Sequence, residues 1–249
     1  MGMVANHIVS SANGSTAMLK LITFAPAGGV RCPSPFGLKA EALLVMSALD
    51  FETRPGLPMK SRTGKLPVLL DGDRTIADSS LIQRYLEEVK GIDFDGHLTD
   101  RQNAIAMAFR RMVEEHLYFA VVHSRWIMAR ETTCNLFFGK APWPVRRLVF
   151  PMLVRRIARD LKGQGLGRDP ADEIARFGVS DLQAIEAAME GPFFFGDRAC
   201  SLDASLYGSL ENIVSVPVES DMRSFCLSSS KIGTFLDAFR AQVLDGRQQ

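Results

Sequence analysis

Residues 64–72 read Gly-Lys-Leu-Pro-Val-Leu-Leu-Asp-Gly, GKLPVLLDG. The apolar run Leu66–Leu70 is short and bracketed by turn residues, the pattern of an inner strand. Pro67 cannot donate a ladder hydrogen bond, so it belongs at a strand start or edge. Asp71-Gly72 is a hairpin turn signal, and Arg74–Ala77 supplies the returning strand. Asp78 then caps a helix that carries Leu81, Ile82, Tyr85, Leu86 and Val89 on one face.

Working upstream, Leu19–Phe24 is another apolar run, ending before Pro26. A glycine-rich connection, Gly28–Gly29, leads to Ser34-Pro35-Phe36. Ser34 suits an N-cap, and Pro35 suits the first helical position, where its missing N–H costs nothing. The helix runs to Leu49, with Phe36, Ala40, Leu43 and Leu44 on one face. Phe51–Arg54 is a further strand, and Pro55–Gly64 is irregular. The order is strand, helix, strand, irregular segment, strand, strand, helix. A four-stranded mixed sheet with flanking helices satisfies it.

Working downstream, residues 90–100 lack periodicity and contain Gly91 and Gly96, which marks a linker. Everything after it is helical in pattern. Arg101–Arg130 reads as one long helix or two. Pro142 and Pro144 break the pattern. Val145–Lys162 is basic and amphipathic, with a kink expected at Pro151. Asp169-Pro170 opens another helix whose first turn holds Asp172 and Glu173. A loop at Gly191–Asp197 precedes two more helices. The expected division is a disordered tail at 1–17, an α+β domain at 18–89, a linker at 90–100 and an all-helical domain at 101–249.

Composition narrows the functional classes. The chain has 249 residues, 47% of them hydrophobic and 23% charged, ordinary for a soluble globular protein. A formal net charge of +1 gives no electrostatic reason for nucleic-acid binding. The Ser-, Asn- and Gly-rich start has neither the basic region nor the apolar core of a signal peptide. Leu148–Val154 is too short to span a bilayer. Cys32, Cys134, Cys200 and Cys226 form no CxxC motif, which fits a reducing, cytoplasmic location.

Three features of the first domain can carry chemistry together. A cis bond before Pro67 would turn the backbone of Leu66 outward, with its N–H and C=O free to pair with a peptide ligand. Asp78-Ser79 offers helix N-terminal amides and a hydroxyl, suited to a carboxylate. Ser34 offers a hydroxyl and helix N-terminal amides, suited to a thiolate.

The stretch Leu21–Glu88 resembles the N-terminal domain of glutathione transferases, and within that superfamily the failed-axon-connections and metaxin-like branch. The motifs are SPFGLKAEALLVMSAL (34–49), GKLPVLLDG (64–72) and IADSSLIQRYLE (76–87). The second half adds GQGLGR (163–168), FFFGDRACSLDASLYG (193–208) and VPVES (216–220). The resemblance implies a thioredoxin-like α+β domain followed by an all-α domain, with glutathione as co-substrate and no metal. It implies that Leu66 pairs with the cysteinyl backbone, with Pro67 cis. Ser79 and the Asp78 region would hold the γ-glutamyl end, Lys65 would add a polar contact, and Ser34 would take the position of the active cysteine or serine. The partner would be a hydrophobic electrophile or a peroxide, and the assembly a homodimer. The same fold also serves a binding or scaffold protein without turnover, or a thiol–disulfide exchanger using Cys32.

Magnitudes support a hydrogen-bonding Ser34. Lowering a thiol pKa from about 8.5 by about two units takes roughly 2.7 kcal/mol. A helix N-terminus supplies about 0.3–2 kcal/mol, and a hydrogen bond to an anion about 1.5–3 kcal/mol. The hydroxyl therefore need only donate to the sulfur.

Other features read less specifically. Trp126, Phe137, Phe138, Trp143 and Phe150 could line an apolar pocket or simply fill core. His116 and His123 share a helical face without further ligands, so no metal site is expected. Arg146, Arg147, Arg155, Arg156 and Arg159 form a basic stripe, either solvated or facing an anionic substrate or membrane surface. Cys200 stands where related sequences carry a capping Thr or Ser. Either the following helix starts weakly or Ser201 takes over the cap.

Overall fold

The computed structural model describes residues 18–139 and 141–245. The tail expected at 1–17 lies outside these residues. The first part comprises β1 (Leu19–Thr23), α1 (Pro35–Met46), β2 (Phe51–Pro55), β3 (Val68–Asp71), β4 (Arg74–Ala77) and α2 (Ser79–Glu88). The sheet order is β2-β1-β3-β4. β1 runs parallel to β2, with Leu21 opposite Thr53, and antiparallel to β3, with Ile22 opposite Val68. This is the thioredoxin-like sheet that the sequence implies.

The alternation of β1 explains its orientation. Leu19, Leu21 and Thr23 are buried, and Lys20 and Ile22 are less so. A period of two sends one set to the helices, where Leu38, Leu43, Leu44, Ile82 and Leu86 complete the core. Leu66, Val68 and Ala77 form a smaller cluster on the other face with Ile22 and Phe24.

The helical part holds α3 (Asp100–Met112), α4 (Tyr118–His123), α5 (Arg130–Phe138), α6 (Phe150–Gln164), α7 (Ala171–Ala188), α8 (Ser201–Ser215), α9 (Asp221–Ser228) and α10 (Ser230–Phe239). Thr99 and Gln102 open α3 with reciprocal backbone bonds of 3.3 and 3.0 Å, a capping box. From Asp100 to Met128 the chain is one continuous helical run, interrupted by π-helical turns at Val113–Leu117 and Ser124–Met128.

Some sequence expectations need correction. The kink expected at Pro151 is not among them: Pro151 lies just after the π turn Val145–Val149 inside one helical run, and its missing N–H leaves that turn without a regular bond. Three helices, not two, follow Asp197 among the described residues. Ser229 makes the extra break, its hydroxyl accepting from Ile232 N at 3.1 Å to start α10. At the start of α8 it is Asp203 that compensates for Cys200. Its carboxylate accepts from Cys200 N and Phe194 N at 2.8 Å each. Ser201 does not cap; its hydroxyl donates to Asp95 at 2.5 Å.

α8 runs through the centre and packs on α1. The approach is close enough to require glycine at 208: a Cβ there would lie 2.3 Å from the Pro35 carbonyl oxygen. The helical part is thereby pressed against the first turn of α1.

Candidate functional site

β1 delivers the chain into a loop that ends at Ser34, immediately before α1. Ser34 has extended backbone angles (φ −107°, ψ 123°), and its carbonyl accepts from Gly37 N and Leu38 N at 3.0 and 3.1 Å. The backbone thus caps the helix in the expected way. The side chain does not: the Ser34 hydroxyl makes no hydrogen bond among the described residues, and it is half-buried.

The Leu66–Pro67 peptide bond is cis. Because Ile22 pairs with Val68, the end of β1 and the start of β3 lie side by side, which brings the loop toward Ser34 next to Leu66 and Pro67. The Leu66 N–H and C=O make no backbone hydrogen bond among the described residues, although the side chain is buried. The Pro67 carbonyl accepts from Asp78 N at 3.1 Å, tying this edge to the start of α2.

Asp78 is exposed and holds φ 94°, ψ 133°, a region that L residues rarely adopt. Its carboxylate accepts from Ser80 N at 2.8 Å. Ser79 is 2% exposed, and its hydroxyl makes no hydrogen bond among the described residues. Lys65 is exposed beside Leu66. The six site residues read from the sequence therefore gather at one end of the sheet.

Cys32 is placed differently from the disulfide-exchange reading. It is 0% exposed, its sulfur lies 3.0 Å from the Thr23 hydroxyl, and burial pushes the thiol pKa up. A Cβ at Gly37 would come within 2.4 Å of the same sulfur. The thiol faces packed interior, so disulfide exchange there would require the loop before Ser34 to open.

The sequence reading missed the groups that fix the Ser34 loop. Asn212, on α8, donates to the Cys32 carbonyl at 3.2 Å and to the Gly208 carbonyl at 3.2 Å. Arg125 donates to the Pro33 carbonyl at 3.4 Å and to Asn212 Oδ1 at 3.1 Å, and also to the Asn212 carbonyl. Burial pulls the guanidinium down to about 10, and it has no carboxylate partner among the described residues. An uncompensated positive charge thus sits beneath the residue before Ser34, where it favours an anion. Little in the sequence signalled this, because Asn212 is one of several polar residues in α8, beside Asp203, Ser205, Ser209 and Glu211.

A second brace joins both parts of the chain. Lys39, 1% exposed on α1, donates to Glu114 at 2.7 Å and to the Ser80 hydroxyl at 3.3 Å. The Ser205 hydroxyl donates to the same Glu114 oxygen at 2.8 Å. Burial lowers the Lys39 pKa, and Glu114 opposes that shift. This pair fixes the spacing of α1 and α2, the helices that begin at Ser34 and Ser79.

Beside the start of α1, Pro35, Phe36, Val113, Tyr118 and Ser209 line a narrow surface crevice. The Phe36 and Tyr118 rings meet at 4.8 Å. The aromatic residues near the Pro-rich break pack mostly on one another. Trp126 stacks between Phe137 and Phe150 at 6.0 Å from each, Phe138 meets Phe150 at 5.4 Å, and Trp143 points to solvent. His116 bonds Asp181 at 2.6 Å, and no metal-binding cluster occurs among the described residues.

A thioredoxin-like sheet with a cis-proline before its third strand, joined to a helical domain, is the fold of the glutathione S-transferases. Comparison with known proteins agrees. Residues 35–132 match the glutathione S-transferase N-terminal domain, and residues 178–238 the C-terminal domain. The isoprene-epoxide–glutathione S-transferase of Rhodococcus sp. (strain AD45) is 30% identical over 90% of this chain and 99% of that protein. Failed axon connections of Drosophila melanogaster is 26% identical over 72% of this chain and 46% of that protein. Metaxin-2 of Mus musculus is 24% identical over 74% and 72% respectively. Among solved structures, a glutathione S-transferase of Ceriporiopsis subvermispora in complex with glutathione superposes with TM-score 0.62 at 19% identity, over 90% of this chain and 97% of that one. The chain belongs to the glutathione S-transferase family.

Proposed function

We propose that this protein is a glutathione transferase that binds glutathione at the Leu66 edge, holds its sulfur as a thiolate at Ser34 and adds it to a small electrophile. The observation that carries the reading is the pair of unused groups at one end of the sheet: the Leu66 backbone N–H and C=O, and the Ser34 hydroxyl. The peptide pairs with Leu66 as an added strand would. Its γ-glutamyl carboxylate takes the α2 N-terminus at Ser79, with Asp78 shaping that turn and Lys65 at the rim. Ser34 donates to the sulfur, and the buried Arg125 charge favours the anion.

The relative named isoprene-epoxide–glutathione S-transferase supports an epoxide as the acceptor. The thiolate then forms an S–C bond as one ring C–O bond breaks, and the oxygen takes a proton from water. Four free cysteines support a reducing, cytoplasmic setting, and the family supports a homodimer.

A second reading, a binding protein without turnover, is favoured by the narrowness of the crevice beside Phe36 and Tyr118 and by the metaxin relatives. Two measurements separate the readings. Retention on immobilised glutathione, lost in Ser79→Ala, tests binding. Conjugation of glutathione to a small epoxide, followed for wild type and Ser34→Ala, tests catalysis. The transferase reading expects a roughly 10–100-fold fall in turnover with binding kept, the worth of one hydrogen bond to an anion. Binding with no turnover on any of a panel of epoxides and aryl halides leaves the scaffold reading standing.

A further inference from the structure

The site leaves unused the segment from Trp143 to Lys162. Phe150, Val154 and Leu161 turn inward from α6. On the other side Trp143, Leu148 and Met152 are 68%, 68% and 63% exposed. Helical spacing from Leu148 puts Met152, Arg155 and Arg159 on one outward stripe, apolar at its start and cationic at its end. Arg155 and Arg159 make no ion pair among the described residues, and Arg147 lies over the Trp143 ring at 5.2 Å. Five arginines and Lys162 stand against a single acid, Asp160, in a chain whose formal net charge is only +1.

Neither half of this pattern explains the other. A solvated basic helix needs no exposed tryptophan, leucine and methionine beside its charges. A self-associating apolar face would bring the same cations together across a twofold seam, since a C2 contact uses one patch on both copies. A surface that is apolar at depth and anionic at its rim satisfies both halves at once. We propose that this face docks the protein on an anionic phospholipid membrane, with Trp143, Leu148 and Met152 entering the headgroup boundary and Arg155 and Arg159 meeting lipid phosphates. The contact is peripheral: no helix among the described residues is long and apolar enough to cross a membrane.

The test is flotation of the full chain with vesicles of phosphatidylcholine alone or with roughly one-third phosphatidylserine. Binding is expected only to the anionic vesicles, with a blue shift of tryptophan emission and release at high salt. Arg155→Glu with Arg159→Glu, and separately Leu148→Ser, should each weaken binding by about tenfold or more while leaving the thermal melt unchanged. Absence of binding to anionic vesicles overturns the proposal, as does binding that neither variant weakens. A solution dimer that Leu148→Glu dissociates overturns it too, by assigning the face to a second copy.

Discussion

The amide of Asp78 donates to the carbonyl of Pro67 at 3.1 Å, so the residue that opens α2 is bonded to the residue that closes the proposed peptide-binding edge. The two halves of the proposed glutathione site are thereby one unit. Leu66 cannot shift without moving the turn at Asp78 and Ser79.

That turn holds Asp78 at φ 94°, where a side chain costs about 1–3 kcal/mol. The carboxylate offsets part of this by capping Ser80. Asp78→Ala keeps the strain and loses the cap, and should destabilise by about 0.5–2 kcal/mol. Asp78→Gly loses the cap and relieves the strain, so it should be the more stable of the two. Urea unfolding of both variants checks the order.

The buried Lys39–Glu114 pair should be sensitive to the loss of one partner. Glu114→Gln leaves the Lys39 charge without compensation and should cost about 3–5 kcal/mol. The pH dependence has a definite sign. Burial lowers the folded pKa of Lys39 below its unfolded value, so the folded state disfavours the charged form. Stability therefore rises as pH climbs from the folded pKa toward about 10.4. Without Glu114 the folded pKa falls further and that rise begins at lower pH. Denaturation of wild type and variant across the alkaline range should show the deficit shrinking as pH increases.

Asn212 holds the loop before Ser34 and is the neutral partner of Arg125. Asn212→Asp would put a carboxylate on the guanidinium and cancel its field at the site. The expected result is a higher apparent pKa for the glutathione thiol in the pH–rate profile, with a smaller change in the KM for glutathione. An unshifted profile would assign Arg125 and Asn212 to loop packing alone.

Thiol labelling tests the placement of the cysteines. Cys134 is part-exposed, whereas Cys32, Cys200 and Cys226 are buried. Burial raises all three of the latter pKa values, that of Cys226 to about 12. Mass spectrometry after brief native alkylation at neutral pH should find label on Cys134 and not on the others. Epoxide conjugation should survive Cys32→Ser.

Much of the first domain was legible because its signals are local. Pro67, the Asp71-Gly72 turn and the Asp78 cap each constrain a few neighbouring residues, and together they order the strands. The helical half was less legible where helices run on or break without proline or glycine. The π turns after Met112 and His123 have no sequence mark, and Ser229 looks like any surface serine. At the proposed site, Ser34, Leu66, Pro67 and Ser79 were picked out through turn chemistry and resemblance. Arg125 and Asn212 were missed because each acts across a contact between distant segments. Gly208 was missed for the same reason: only the packed structure puts it against Pro35.

The central claim is that glutathione binds by pairing with the free backbone of Leu66. Amide NMR of the chain labelled with ¹⁵N-leucine, titrated with glutathione, tests it most directly. The Leu66 amide should shift downfield on saturation and become protected from hydrogen exchange, and both changes should vanish in Ser79→Ala. A Leu66 amide that stays unshifted and unprotected while glutathione saturates the protein would contradict the account.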